Sequence, residues 1–363
     1  MINVLIKPSS GKCQMRCGYC FYRDESENRS LADCGFMDMQ IAKALIEKTF
    51  AYSPDGVIFT FQGGEPTLIG LDFFREFVRY ADLQAENSGK KSEYSLQTNG
   101  YCIDDEWAEF FAEHKFLIGL SIDGTKPIHD ALRKDGKGIG TYDRVVKSAQ
   151  LLKKYNVEFN VLTVVTPSVA KNIKEIYADY IKRGFIYQQY IPCLENINEN
   201  GKQDYVLSDE EYCAFLTDLF DCYKTDMLSG KYVYIRRFEN WRGMLAGYEP
   251  EECCLSGRCT PEIVVEADGS VYPCDFYCTD EFRLGNVNSN TIAELLYSTE
   301  AMDFCKRQAR TNEKCRACKW GRLCRGGCPR EKSRNINAFR YCNATYTFLE
   351  NNMEELKLIN RKI

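Results

Sequence analysis

Along the first half of the chain, short β-branched or aromatic runs alternate with stretches whose apolar residues recur every three or four positions. The runs at 3–7, 57–61, 93–97, 116–120, 158–165 and 185–191 predict strands. Between them, Ile41, Leu45 and Phe50 predict the buried face of a helix, as do Phe73, Phe74 and Phe77. The same spacing returns at Trp107, Phe110 and Phe111, at Val145, Ala149 and Leu152, and at Ile173, Ile176, Tyr177 and Tyr180. Gly184 stands where that fifth helix needs a C-terminal cap. Strand–helix alternation specifies a parallel sheet covered by helices. Six such units predict an α/β fold, a partial (β/α)6 barrel of TIM type rather than a complete eightfold one.

The polar and glycine-rich motifs fall at one place in this pattern. A cysteine loop follows the first strand, and Gln62-Gly63-Gly64-Glu65-Pro66 follows the second. Thr98-Asn99-Gly100 follows the third strand, Ser121-Ile122-Asp123-Gly124 the fourth, Val165-Thr166-Pro167 the fifth and Pro192-Cys193-Leu194 the sixth. Loops at the carboxyl ends of parallel strands converge on one mouth, where barrel enzymes place their chemistry. One composite active site is the prediction.

Beyond about residue 197 the character changes. The polar run 196–204 reads as a linker or loop. Ser208-Asp209-Glu210-Glu211 is a capping box opening a helix with an apolar face of Tyr212, Phe215, Leu216, Leu219, Phe220 and Tyr223. From residue 253 onward cysteines crowd together. The division expected is residues 1–235 as the barrel and 236–363 as a small cysteine-rich C-terminal iron–sulfur domain. Gly136-x-Gly138-x-Gly140 lacks the preceding strand of a dinucleotide loop. It reads as a flexible connection into a helix capped near Thr141.

Composition narrows the chemistry. The chain has 19 cysteines, many in C-x2-C or C-x3-C pairs, and only two histidines, His114 and His129. Met1–Ile6 is too short for an export signal, so the thiols predict metal ligation in a reducing cytoplasm rather than a disulfide framework. No apolar run is long enough to cross a membrane, and none is expected as a partner. A net charge of −5 offers no general attraction to nucleic acid. Residues 301–340 nevertheless carry twelve Lys or Arg against Asp303, Glu313 and Glu331. Aromatic residues are sparse there, which favours counter-charge for anionic clusters over a nucleic-acid patch. One such cation about 8 Å from a cluster contributes roughly 2 kcal/mol at an effective dielectric near 20.

Cys13, Cys17 and Cys20, spaced C-x3-C-x2-C, are the most informative residues. Three thiolates on one short loop can hold three irons of a four-iron cluster and leave the fourth open to a small molecule, whereas an electron-transfer cluster has four cysteines. Zinc is the alternative, but a structural zinc site needs a fourth ligand from elsewhere. The second set is Cys253, Cys259, Cys274, Cys315, Cys318, Cys324, Cys328 and Cys342. Two closed four-iron clusters or two structural zincs account for these eight equally well by spacing. A redox-active open cluster needs an electron route, which zinc does not supply. Cys34, Cys102, Cys193, Cys213, Cys222 and Cys305 read as small buried hydrophobes; Cys254 and Cys278 lie one and four residues from a proposed ligand.

The cysteine loop, the Gly63-Gly64-Glu65-Pro66 loop and the cysteine-rich tail together resemble the radical S-adenosylmethionine enzymes with a SPASM extension. More closely, Leu5-Ile6-Lys7-Pro8, Phe61 to Leu68, Ser95 to Gly100 and Gly269 to Tyr277 resemble the anaerobic sulfatase-maturating enzymes, over nearly the whole chain. That resemblance implies a radical oxidoreductase that converts a cysteine or serine of an unfolded or nascent sulfatase polypeptide to Cα-formylglycine. It implies three [4Fe–4S] clusters, S-adenosyl-L-methionine and a one-electron donor such as a flavodoxin or ferredoxin. Carried over by motif, Cys13, Cys17 and Cys20 would hold the open cluster. Tyr22, Gly64, Ser121, Arg133 and Leu194 would line the cofactor pocket. Cys253, Cys259, Cys274 and Cys328 would hold one auxiliary cluster, and Cys315, Cys318, Cys324 and Cys342 the other. Asp275 would be the general base, where burial and an anionic cluster both favour a proton acceptor. Gln62 and Arg236 would contact the peptide. A maturase forming thioether or carbon–carbon crosslinks in a ribosomal peptide is the near alternative, and a non-catalytic zinc or electron-transfer protein the distant one.

Overall fold

The computed structural model describes residues 1–197, 204–307, 313–333 and 338–362. Most of the linker expected at 196–204 therefore lies outside the described residues, as do Arg310 and Arg334 of the basic segment. The strands used below are, in chain order, β1 (Ile2–Ile6), β2 (Gly56–Phe61), β3 (Lys91–Thr98), β4 (Leu117–Ser121), β5 (Phe159–Val165), β6 (Tyr187–Pro192), β7 (Tyr234–Ile235), β8 (Ile263–Val265), β9 (Ser270–Tyr272) and β10 (Gly285–Asn286); a separate two-stranded ribbon pairs Lys332–Ser333 with Ala338–Phe339. The first six lie within a few residues of the runs read from the sequence. The helices that matter below are α1 (Phe21–Glu27), α2 (Met39–Tyr52), α3 (Leu71–Ser88), α4 (Asp105–Glu113), α5 (Tyr142–Lys154), α6 (Ile173–Arg183), α7 (Asp209–Leu228), α8 (Arg236–Leu245) and α9 (Cys342–Lys362).

Two compact units emerge. The first comprises residues 1–121, 132–159 and 260–307. Its strands run in the order β10-β9-β8-β1-β2-β3-β4. β1 pairs in parallel with β2, β2 with β3 and β3 with β4, with Ile6 opposite Phe61 and Phe61 opposite Leu96. On its other edge β1 takes β8 in parallel, Ile6 opposite Val265, and β9 and β10 continue antiparallel. The inward residues form an aromatic core: Phe59, Phe61, Phe74, Phe77 and Phe111 are fully buried, and Phe61 meets Phe74 edge-on at 4.8 Å between ring centroids. The apolar stripes predicted for α2 to α5 supply this burial. Thr141 precedes α5 without capping it; its hydroxyl donates instead to the Arg133 carbonyl at 3.1 Å.

The second unit comprises residues 122–131, 160–259 and 308–363. β5, β6 and β7 pair in parallel within it. Gly184 ends α6 in the left-handed conformation, φ 70°, as read from the sequence. The capping box of α7 forms: Glu211 N donates to Ser208 Oγ at 3.1 Å, and Ser208 N donates back to Glu211 Oε2 at 2.8 Å. All six residues of the predicted α7 face are buried. They pack into an aromatic layer with α8 and α9, where Phe220 and Trp241 lie 5.3 and 5.1 Å from the Phe348 ring. No helix among the described residues is long and apolar enough to cross a membrane.

Candidate active site

The loops after β1, β2 and β3 are tied together around one buried carboxylate. Glu65 is fully buried and accepts from Thr67 N at 3.1 Å, Thr67 Oγ1 at 2.7 Å, Thr98 Oγ1 at 2.7 Å and Asn99 N at 2.8 Å. Burial pushes its pKa up, and those four donors oppose the shift. Its backbone N donates to the Lys12 carbonyl at 2.8 Å, which brings the cysteine loop against the glycine loop. Gly64 makes this approach possible. Its φ is 55°, and a Cβ there would lie 2.4 Å from the Lys12 carbonyl oxygen and 2.7 Å from that of Ser10.

Cys13, Cys17 and Cys20 sit on the loop between β1 and α1, with Cys20 at the helix N-terminus. The Cys13 sulfur receives Met15 N at 3.4 Å and Asn99 Nδ2 at 3.5 Å. Burial pushes its thiol up to about 12, and Glu65, Cys17 and Cys20 add to the shift. Cys17 and Cys20 thus lie within electrostatic reach of Cys13. Three soft donors on one loop, with N–H groups already aimed at a sulfur, fit an anionic iron–sulfur cluster. A cavity of about 380 Å3 opens beside Cys13, walled by Lys12, Gln14, Arg16, Arg23 and Asp33. Tyr22, Gly64, Ser121 and Arg133 are not among its walls.

Asp275 lies in the same unit, on the turn after β9, and is 7% exposed. The Tyr22 hydroxyl donates to its Oδ2 at 2.7 Å, and Gln62 Nε2 donates to Oδ2 at 3.0 Å and to the Tyr22 oxygen at 2.6 Å. Lys7 Nζ stands 3.2 Å from Oδ1. Tyr22, read as a cofactor contact, and Gln62, read as a peptide contact, are therefore both engaged with the carboxylate. Ser121 is buried and accepts from Gln97 Nε2 at 3.0 Å. Arg133 is buried with its guanidinium 5.5 Å from the centroid of the Tyr19 ring. Lys7, Glu25 and Tyr19 did not emerge from the sequence; a lysine inside the strand-end Leu5-Ile6-Lys7-Pro8 was the available signal for the first.

In the second unit Leu194 is half-buried, its carbonyl receiving Cys193 Sγ at 3.7 Å. Arg236 keeps a buried Nε with no hydrogen-bond partner among the described residues. Cys315, Cys318, Cys324 and Cys342 all lie in this unit and act on one another electrostatically. Burial pushes the Cys324 thiol up to about 11, with Cys342 and Cys315 adding to it, and Cys342 feels Cys315 and Cys318 in turn. Lys314 acts on Cys342 in the opposite sense, as counter-charge requires. Other cations of the basic segment are committed to carboxylates, Lys319 to Glu350 at 2.8 Å and Arg325 to Glu249 at 3.0 Å. Cys253 is exposed; its neighbour Cys254 is tucked inward and receives Arg237 Nη2 at 3.3 Å. No disulfide joins any cysteines among the described residues.

The Radical SAM superfamily pattern matches residues 8–180, and the SPASM iron–sulfur cluster-binding domain matches residues 253–319. The cysteine-type anaerobic sulfatase-maturating enzyme of Clostridium novyi is 38% identical over all of this chain and 98% of its own length. That of Clostridium perfringens is 41% identical over 96% of this chain and 95% of its own. The chain belongs to the anaerobic sulfatase-maturating enzymes. The solved structure of native anSMEcpe with bound AdoMet matches with a TM-score of 0.95 at 38% identity, covering 100% of both chains. The same protein with AdoMet and the Cp18Cys peptide matches at 0.93, covering 99% of each. The fold is thus the radical SAM α/β partial barrel with a cysteine-rich SPASM extension, and the family's cofactors are S-adenosylmethionine and [4Fe–4S] clusters.

Proposed function

We propose that this sulfatase-maturating enzyme acts on cysteine, oxidising the target side chain of an unfolded or nascent sulfatase polypeptide to Cα-formylglycine. Identity of 38–41% to cysteine-type relatives supports that choice of residue. Functionally the chain divides at 235/236, with the radical chemistry ahead of the boundary and two auxiliary clusters behind it.

Cys13, Cys17 and Cys20 would hold the cluster that binds S-adenosylmethionine and the eight C-terminal cysteines the auxiliary clusters; together these groups would supply hydrogen-atom abstraction from Cβ and an acceptor for the remaining electron. The protein's part is to hold the cofactor with Gly64, Ser121, Arg133 and Leu194 and to remove a proton. Asp275 takes that proton from the target thiol. An ionised carboxylate has about four acceptor positions; Tyr22 and Gln62 occupy those of Oδ2, and Oδ1, which faces the Lys7 ammonium and accepts no hydrogen bond among the described residues, is left for the substrate. The sulfur then leaves as sulfide when water adds to the resulting thioaldehyde, giving the aldehyde. The unpartnered Arg236 Nε is a donor for the peptide backbone. An acidic flavodoxin or ferredoxin suits the cations beside Cys13, in a cytoplasmic setting where the thiols stay reduced.

The observation that carries this reading is the buried Asp275 carboxylate, adjacent to Cys274, held by two hydrogen-bond donors and paired with the Lys7 ammonium. Asp275→Asn is expected to cleave S-adenosylmethionine while formylglycine formation falls about 10²- to 10³-fold, the usual worth of a positioned base. Mass spectrometry of an 18-residue-scale cysteine peptide, roughly what an extended chain across a barrel mouth needs, reads the yield. Full yield from the variant would remove Asp275 from the mechanism.

A further inference from the structure

Lys7 carries the positive charge nearest the base and has no part in the chemistry above. It leaves the end of β1, is 2% exposed, and sets Nζ 3.2 Å from Asp275 Oδ1 and 3.3 Å from Glu25 Oε2. We propose that Lys7 is a positioning residue for the oxidation: held by Glu25 on one side, it fixes the Asp275 carboxylate on the other. The inference rests on the reading of Asp275 as the base.

The side chain is confined along its whole length. Lys7 N donates to the Val265 carbonyl at 2.8 Å, fastening its backbone to β8. Its stem crosses Gly63, where a Cβ would lie 2.6 Å from Lys7 Cγ, so the first glycine of the Gly-Gly-Glu-Pro motif is space made for this lysine. Its ammonium lies 4.9 Å from the centroid of the Tyr22 ring, whose hydroxyl is bonded to the other oxygen of Asp275. Tyr22 and Glu25 both stand on α1, one turn apart. The helix that begins at Cys20 therefore aims both groups at the Lys7–Asp275 contact.

The geometry gives the arrangement its purpose. A buried ion pair alone costs desolvation that apolar residues of equal volume avoid, so its presence is poorly explained by stability. Here two carboxylates share one ammonium, and the Glu25 contact holds Lys7 Nζ in place against Asp275 Oδ1. The second carboxylate is itself held, accepting Cys278 N at 3.3 Å on Oε1. Nearby Glu266 is committed to Arg29 at 2.5 Å.

The test compares Lys7→Met with Lys7→Met/Glu25→Gln, each anaerobically reconstituted. The single variant leaves Glu25 buried and unpaired and melts below wild type. The double variant removes both charges and recovers melting temperature and iron content. It is nevertheless expected to yield at least about tenfold less formylglycine per S-adenosylmethionine cleaved, with peptide Kd within about threefold of wild type, because abstraction proceeds while the base is misplaced. A purely structural lysine would lower cleavage and product together. Wild-type coupling in the double variant would overturn the proposal. If that variant fails to hold iron, Lys7→Met/Glu25→Leu is read by the same ratio and the same criterion. Asp275→Asn run alongside separates the two readings: full yield there overturns both, whereas a crippled Asp275→Asn beside a fully coupled Lys7 variant overturns this inference alone.

Discussion

Tyr22 follows Cys20 by two positions, and from sequence that nearness points its ring at whatever the cluster loop binds. In the fold its hydroxyl also reaches a carboxylate 253 positions away. The two assignments separate by experiment. Tyr22→Phe removes one donor to a charged acceptor, a contact worth about 1.5–3 kcal/mol, so product formation should slow by tenfold or more while S-adenosylmethionine affinity holds within about threefold. Loss of affinity with unchanged coupling would return Tyr22 to the cofactor. Cys13, Cys17 and Cys20 were legible because their constraint is local: spacing on one loop decides which sulfurs can share a cluster. Gly64 was half legible, since a glycine pair signals a turn but not the carbonyls of Ser10 and Lys12 that exclude a side chain.

At the level of elements, periodicity and caps were enough. The six strands and the amphipathic helices between them follow from alternation and three-to-four spacing, and the box at Ser208 and Glu211 forms with both hydrogen bonds. Ser208→Ala should cost about 1 kcal/mol, as loss of a capping hydroxyl does. Urea unfolding followed at 222 nm would read it, with S-adenosylmethionine cleavage unchanged. Thr141 marks the boundary of this legibility: a hydroxyl at a helix start predicts a cap, yet a nearby carbonyl captured it. The short strands β8, β9 and β10 escaped detection because two or three residues are too few to show a period, and their pairing with β1 is a long-range choice.

For the whole molecule, thiols link folding to metal. Residues 313–333 carry only short helices, turns and the two-residue strand Lys332–Ser333, so clusters bound there would supply much of their folding energy. Removing iron by chelation under reducing, anoxic conditions should lower the melting temperature and raise protease cleavage in that segment before the aromatic core of the first unit responds. Iron content tests the ligand choice at its weakest point. Cys253→Ala should lose roughly four of about twelve irons and Cys254→Ala none, because Cys254 already faces Arg237. The reverse result would exchange the two.

Motifs that act within one loop or one helix turn were determined by the sequence alone: the open-cluster cysteines, the glycine loop, the strand–helix alternation and the capping box. Only the tertiary structure decided that Lys7, Tyr22 and Gln62 gather on Asp275, and that Glu25 shares the Lys7 ammonium. The physical reason is that covalent spacing sets local geometry. Which buried charge meets which depends on pairing strands far apart in the chain, and β8 on β1 brings the Asp275 turn to Lys7.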